Sequence, residues 1–133
     1  MTALSSAQRR LWFLYRLEGP SSTYNIPVVA TITGEVDGPA LIAAVNDVVE
    51  RHEILRTVYV EADGEPSQQV LPIGEGRVDA AQERLVPEAL AAAVEDTCRR
   101  AFDLAVEAPL RVRLFSTSTH HHTLVIVLHH IAG

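Results

Sequence analysis

The chain has 133 residues, 47% of them hydrophobic, and a formal net charge of −6, so it has room for one domain with a real core. That charge and a pI near 5.4 argue against nucleic acid or an anionic membrane as the main partner. Cys98 is the single cysteine, which excludes a disulfide framework and a cysteine-based metal site. The longest apolar run falls far short of the ~20 residues that a membrane span needs. No basic stretch followed by an apolar one opens the chain, so no signal peptide is expected and the reading is cytoplasmic.

In chain order, Ser5-Ser6-Ala7-Gln8 fits a capping box, with Ser5 as N-cap and Gln8 three positions on. Ala7, Leu11 and Leu14 share one face of the helix that follows, and Gly19-Pro20 ends it. Trp12, Phe13 and Tyr15 crowd aromatics onto this helix, where core packing is the favoured role. Val28 to Thr33 is β-branched enough for a strand closing at Gly34. After Asp37-Gly38-Pro39 a second helix carries Leu41, Ile42, Val45, Val48 and Val49 as its apolar stripe. Leu55 to Glu61 alternates as a strand, Asp63-Gly64 signals a hairpin, and Gln68 to Leu71 is the return strand.

Pro72 to Ala81 is rich in glycine and charge and reads as a loop. A third helix has Pro87 in its first turn and Leu90, Val94, Cys98 and Phe102 along one face. Leu110, Val112 and Leu114 then point one way and Arg111 and Arg113 the other, as in a strand with a wet face or at an edge. Ser116 to Thr119 reads as a turn, and Thr123 to Leu128 is apolar on both faces, which suits a central strand. The succession predicts an α/β fold, a two-layer sandwich of a mixed sheet with helices packed on it.

Residues able to carry chemistry concentrate at the end. His129 and His130 close the apolar strand, and neighbours on a strand point to opposite faces. One can therefore be locked inside while the other projects into a cleft as a general base near neutral pH, although two partly buried histidines would satisfy the same pattern. His120-His121-His122 reads as a solvated turn rather than a metal site, since no third ligand stands at a recognisable spacing. Arg51-His52-Glu53 with Arg56 reads as an ion-pair cluster at a helix-strand junction. No glycine-rich phosphate loop, serine nucleophile elbow or paired carboxylate motif is present.

Three segments together resemble the condensation domains of nonribosomal peptide synthetases. Ser5-Ser6-Ala7-Gln8-Arg9-Arg10-Leu11-Trp12-Phe13-Leu14 is similar to the family's opening motif and runs on into Ser22-Thr23-Tyr24-Asn25-Ile26-Pro27. Arg51-His52-Glu53-Ile54-Leu55-Arg56-Thr57-Val58-Tyr59 resembles its second core motif, with Tyr59 where Phe is more usual. Leu128-His129-His130-Ile131-Ala132-Gly133 resembles the start of its His-His-x-x-x-Asp-Gly signature. The resemblance implies a chloramphenicol-acetyltransferase-like fold of two lobes, of which residues 1–133 are the amino-terminal one. It implies His130 as the catalytic histidine, with His129, Gly133, Arg51 and Arg56 supporting the motif. Donor and acceptor carrier domains would bring phosphopantetheine-tethered substrates, with no cofactor bound by this chain. The signature's Asp and Gly and the carboxyl-terminal lobe lie outside this sequence, and without them no condensation activity is expected. An epimerisation domain and a non-catalytic carrier-docking lobe are the alternatives. Heterocyclisation is disfavoured, because such domains carry Asp where the two histidines stand, and Gly133 leans towards an L-configured donor.

Overall fold

The computed structural model describes residues 2–19, 21–73 and 78–132. Its elements are β1 (Thr2–Ala3), α1 (Ser6–Glu18), β2 (Asn25–Thr33), α2 (Gly38–Arg51), β3 (Thr57–Ala62), β4 (Glu65–Val70), β5 (Asp79–Arg84), α3 (Leu90–Arg99), β6 (Leu110–Ser118) and β7 (His121–His129). Short 3-10 turns cover Glu53–Arg56, Pro87–Ala89 and His130–Ala132. A four-stranded sheet runs β2-β7-β6-β5, and a smaller sheet runs β1-β4-β3. The larger sheet is mixed, since β5 lies parallel to β6 while β6, β7 and β2 are antiparallel. The α/β class expected from the sequence is the one observed.

Alternation along β7 divides the core. Val125 and Val127 face a cluster with Trp12, Tyr59, Phe102 and Ile131, against which residues of α1 and α3 pack. Leu124, Ile126 and Leu128 face the other way, towards Val45 and Val49 of α2. Packing on both of its faces explains why β7 lacks a polar one. Beyond α2 that second face stays open, with Ile26, Val28 and Val48 exposed beside it.

Four expectations need correction. The stretch read as a loop ends in strand β5 from Asp79, and the expected loop residues 74–77 lie outside the described residues. A six-residue edge strand rich in charge carries no hydrophobic alternation, so its pairing with β6 is invisible locally. β6 is not an edge, and its arginine face is not wet: Arg111 is 1% exposed. α3 stops at Arg99, so Phe102 reaches the core from the segment after the helix. The expected Ser116–Thr119 turn is shorter, because β6 continues to Ser118.

Smaller shifts fall at element ends. β2 begins at Asn25 and includes Pro27, which an edge strand tolerates because one side needs no N–H. The expected strand from Leu55 starts only at Thr57, after the 3-10 turn, and its return strand starts at Glu65. Trp12 is buried as expected, whereas Phe13 is 44% exposed and receives the Arg9 guanidinium instead.

Candidate active site at the end of strand β7

The sheet delivers His129 and His130 to one place by two backbone clips. The His129 N–H donates to the Pro109 carbonyl at 2.9 Å, and the His130 N–H donates to Tyr24 at 2.8 Å. β7 ends at His129, and His130 opens the following turn. The two side chains part as the strand geometry predicts: His129 is buried and His130 is exposed.

His129 is 2% exposed among Phe102, Tyr24 and Tyr15, whose ring centroids lie 6.0, 6.3 and 6.5 Å from its own. Its Nδ1 accepts the Ile131 N–H at 3.1 Å, which places the proton of the neutral ring on Nε2. Burial among these rings, with a smaller contribution from neighbouring His130, pushes its pKa down to about 4. His129 is thus held neutral, and its acceptor shapes the turn that carries His130.

His130 lines a cleft of about 240 Å³ with Ser5, Ala7, Gln8 and Leu11 at the start of α1, Ile54 of the 3-10 turn, and Ile131 and Ala132. Segments more than seventy residues apart in sequence meet here. The opening of α1 is rigid because the capping box forms: Gln8 N–H donates to Ser5 Oγ at 3.2 Å, and Ser5 N–H to Gln8 Oε1 at 2.9 Å. Gln8 Nε2 reaches the Tyr59 hydroxyl at 3.5 Å, tying α1 to β3 beneath the cleft. Burial raises the Tyr59 pKa to about 12, so its hydroxyl stays protonated.

The arginines of the second motif do not enter this cleft. Arg56 donates from Nη1 to the Leu71 carbonyl at 2.8 Å, while its buried Nε has no partner among the described residues. Arg51 lies exposed in the last turn of α2. The expected ion-pair cluster is absent: among the described residues Arg51, His52, Glu53 and Arg56 make no salt bridge with one another. Basic residues at a helix end already interact favourably with its dipole, without an ion-pair partner. Gly133 lies outside the described residues. His122 turns Nδ1 to Ser116 Oγ at 2.7 Å and Nε2 to the carbonyls of Gly34 and Thr119, both at 3.1 Å, so its ring nitrogens serve the β6–β7 hairpin.

Sequence reasoning missed two polar side chains behind the site, Asn25 and Arg111, which converge on the C-terminal turn of α3. Their partners lie as far as 75 positions away, and only an unexplained arginine on an otherwise apolar strand hinted at them.

The histidine pair ends a strand of an α/β lobe of the chloramphenicol-acetyltransferase-like fold, at the meeting point of the three motifs. Residues 1–132 match the Condensation domain family, and the chain belongs to it. It is 47% identical over 130 residues to a probable non-canonical nonribosomal peptide synthetase of Salinispora arenicola, covering 98% of this chain and 2% of that protein. A dimodular nonribosomal peptide synthase of Bacillus subtilis is 42% identical, again over 98% of this chain and 6% of the relative. The X-domain from teicoplanin biosynthesis superposes with a TM-score of 0.81 at 32% identity, covering 97% of this chain and 28% of that structure. The first condensation domain of the calcium-dependent antibiotic synthetase shares the fold with a TM-score of 0.82, covering 97% of this chain and 32% of that one. The chain therefore spans about a third or less of each of these proteins.

Proposed function

We propose that this lobe serves peptide-bond formation between two carrier-tethered substrates, with His130 as the residue that meets the acceptor. The acceptor aminoacyl nitrogen attacks the carbonyl carbon of the donor thioester. The C–N bond forms, the C–S bond breaks, and the amine proton leaves with the departing thiol. An exposed imidazole held by a backbone clip at the end of a central strand can orient that amine, receive its proton, or steady the tetrahedral intermediate. The single observation carrying this reading is that His130 lines a cleft where residues of all three family motifs meet.

His129 supports His130 through the Nδ1 bond that fixes the turn. Arg56 holds a buried Nε, without a partner among the described residues, behind the second motif, which suits the ion pair expected for the carboxylate of the full signature. Arg51 supports the helix end rather than the cleft, and Gly133 supports the motif by its place in the signature sequence. Phosphopantetheine stays on the donor and acceptor carrier domains, in the cytoplasm, and this chain binds no cofactor of its own. A cleft this shallow does not align two tethered substrates, so residues 1–133 alone form no peptide bond and act with a carboxyl-terminal lobe.

A second reading is protein recruitment without chemistry, favoured by the likeness to an X-domain that has also been solved in complex with OxyB. Carrier-bound donor and acceptor thioesters separate the two. Replacing the aligned segment of the Bacillus subtilis relative with residues 1–132 gives a chimaera that joins them on the first reading, and one that binds carriers without product on the second. The isolated chain gives no product on either.

A further inference from the structure

Arg111 is a cation in the core where an apolar side chain would fill the space more cheaply. It is 1% exposed, and taking a guanidinium out of water costs several kcal/mol. Its hydrogen bonds show what offsets that cost. Nη1 donates to the carbonyls of Thr97 at 2.9 Å and Arg100 at 3.0 Å, and Nη2 reaches Ala101 at 3.5 Å. Thr97 is among the last carbonyls of α3, which a helix leaves unpaired, and Arg100 and Ala101 follow directly on its end, where the dipole also favours a cation. The carboxylates of Asp79 and Glu107 stand farther off, each at 3.8 Å.

Asn25, on β2 rather than β6, grips the same turn. Its Nδ2 donates to the carbonyls of Cys98 at 3.1 Å and Arg100 at 3.0 Å. Asn25 is also the residue paired with His129 across the β2–β7 ladder. The strand beside His129 is thereby bonded directly to the exit of α3. The segment held between the two clamps leads into Phe102, whose ring lies under the Arg111 guanidinium at 4.4 Å and meets His129 edge-on at 6.0 Å.

The geometry points to Arg111 and Asn25 as positioning residues for the histidine pair: together they clamp the exit of α3 and so hold Phe102 against His129. A cap that served only the helix would not need the Arg100 carbonyl gripped by two residues of different strands. Nor would it couple to the strand that carries the site. The inference deepens the reading of His129 and His130 as the reactive end of the lobe, and it predicts an effect that can be seen without turnover.

The test is the titration of His129, followed by its ring proton resonances, in Arg111→Lys and Asn25→Ser. A lysine keeps the charge but has one nitrogen in place of the planar two-nitrogen fork that reaches these carbonyls and stacks on Phe102, so Phe102 loosens and water reaches His129. Its pKa is expected to rise from about 4 by about one pH unit or more, with a smaller rise in Asn25→Ser. Arg113→Lys is the control. Arg113 lies on the same strand as Arg111, and the change weakens its 2.9 Å ion pair with Asp79 of β5, so it should lower stability while leaving His129 unmoved. Variants that lose stability with His129 still titrating near its original value would overturn the inference and leave Arg111 as a helix cap. If Arg111→Lys does not fold, Asn25→Ser decides by the same criterion. Failure of this titration leaves the proposed chemistry standing, because that chemistry is judged by product formation.

Discussion

Acidification puts a charge on His129 where the fold has no place for one. In the folded protein its pKa is about 4, against about 6.5 for the exposed imidazole of the unfolded chain. The unfolded state therefore binds more protons throughout that window. Stability contributed by neutral His129 is complete above about pH 6.5 and is lost as pH falls through about 4. A gap of about 2.5 pH units at 1.36 kcal/mol each amounts to about 3 kcal/mol. That is a large part of the ~5–15 kcal/mol that holds a domain together. The assay is urea unfolding at a series of pH values, comparing the protein with His129→Gln, which keeps an acceptor for the Ile131 N–H but does not titrate. Carboxylates contribute equally to both curves, so the difference isolates the imidazole. The account expects the two curves to converge by about 3 kcal/mol between neutral pH and about pH 4. Parallel curves, or a His129 resonance that titrates near 6.5, would mean that burial does not hold the imidazole neutral.

Four further outcomes follow from the same geometry. Ser5→Ala removes the N-cap of α1 and should cost about 1 kcal/mol in chemical unfolding. Tyr59→Phe deletes a buried hydroxyl whose hydrogen bond to Gln8 is long. Its cost should stay near or below about 1 kcal/mol, and the phenol absorbance step near pH 12 should vanish from the alkaline titration. His130→Ala removes an exposed side chain, so stability should change by no more than about 0.5 kcal/mol; a larger loss would mean that the imidazole is structural. Val28 is 56% exposed on edge strand β2, beside the open apolar face, and Val28→Lys should reduce concentration-dependent self-association in sedimentation velocity.

What could be read from the sequence was what is decided locally. The Ser5 and Gln8 capping box depends on residues three apart, and it forms as expected. The parting of His129 from His130 needs only the pleat of a strand and the turn after it. What could not be read depends on partners far along the chain. Arg111 and Arg113 alternate with leucine and valine as on a half-wet strand, but periodicity says which face a residue takes and not what covers that face. Here α3 covers it, and Arg111 is buried by carbonyls from that helix. β5 was illegible for a related reason. Its stability comes from pairing Asp79 with Arg111 thirty-two positions on, and its own residues show no apolar alternation. The motifs of the family marked where the site lies, yet Asn25 stood inside a quoted motif without its clamp on α3 being foreseeable.

The central claim is that His130, and not the buried His129, is the residue that meets the reacting amine. The most direct measurement is the rate of peptide-bond formation by the chimaera carrying residues 1–132, with and without His130→Ala, at equal folded concentration. The account predicts a loss of roughly a hundredfold or more in the variant, with folding and carrier binding retained. An active chimaera whose rate is unchanged by His130→Ala would contradict it.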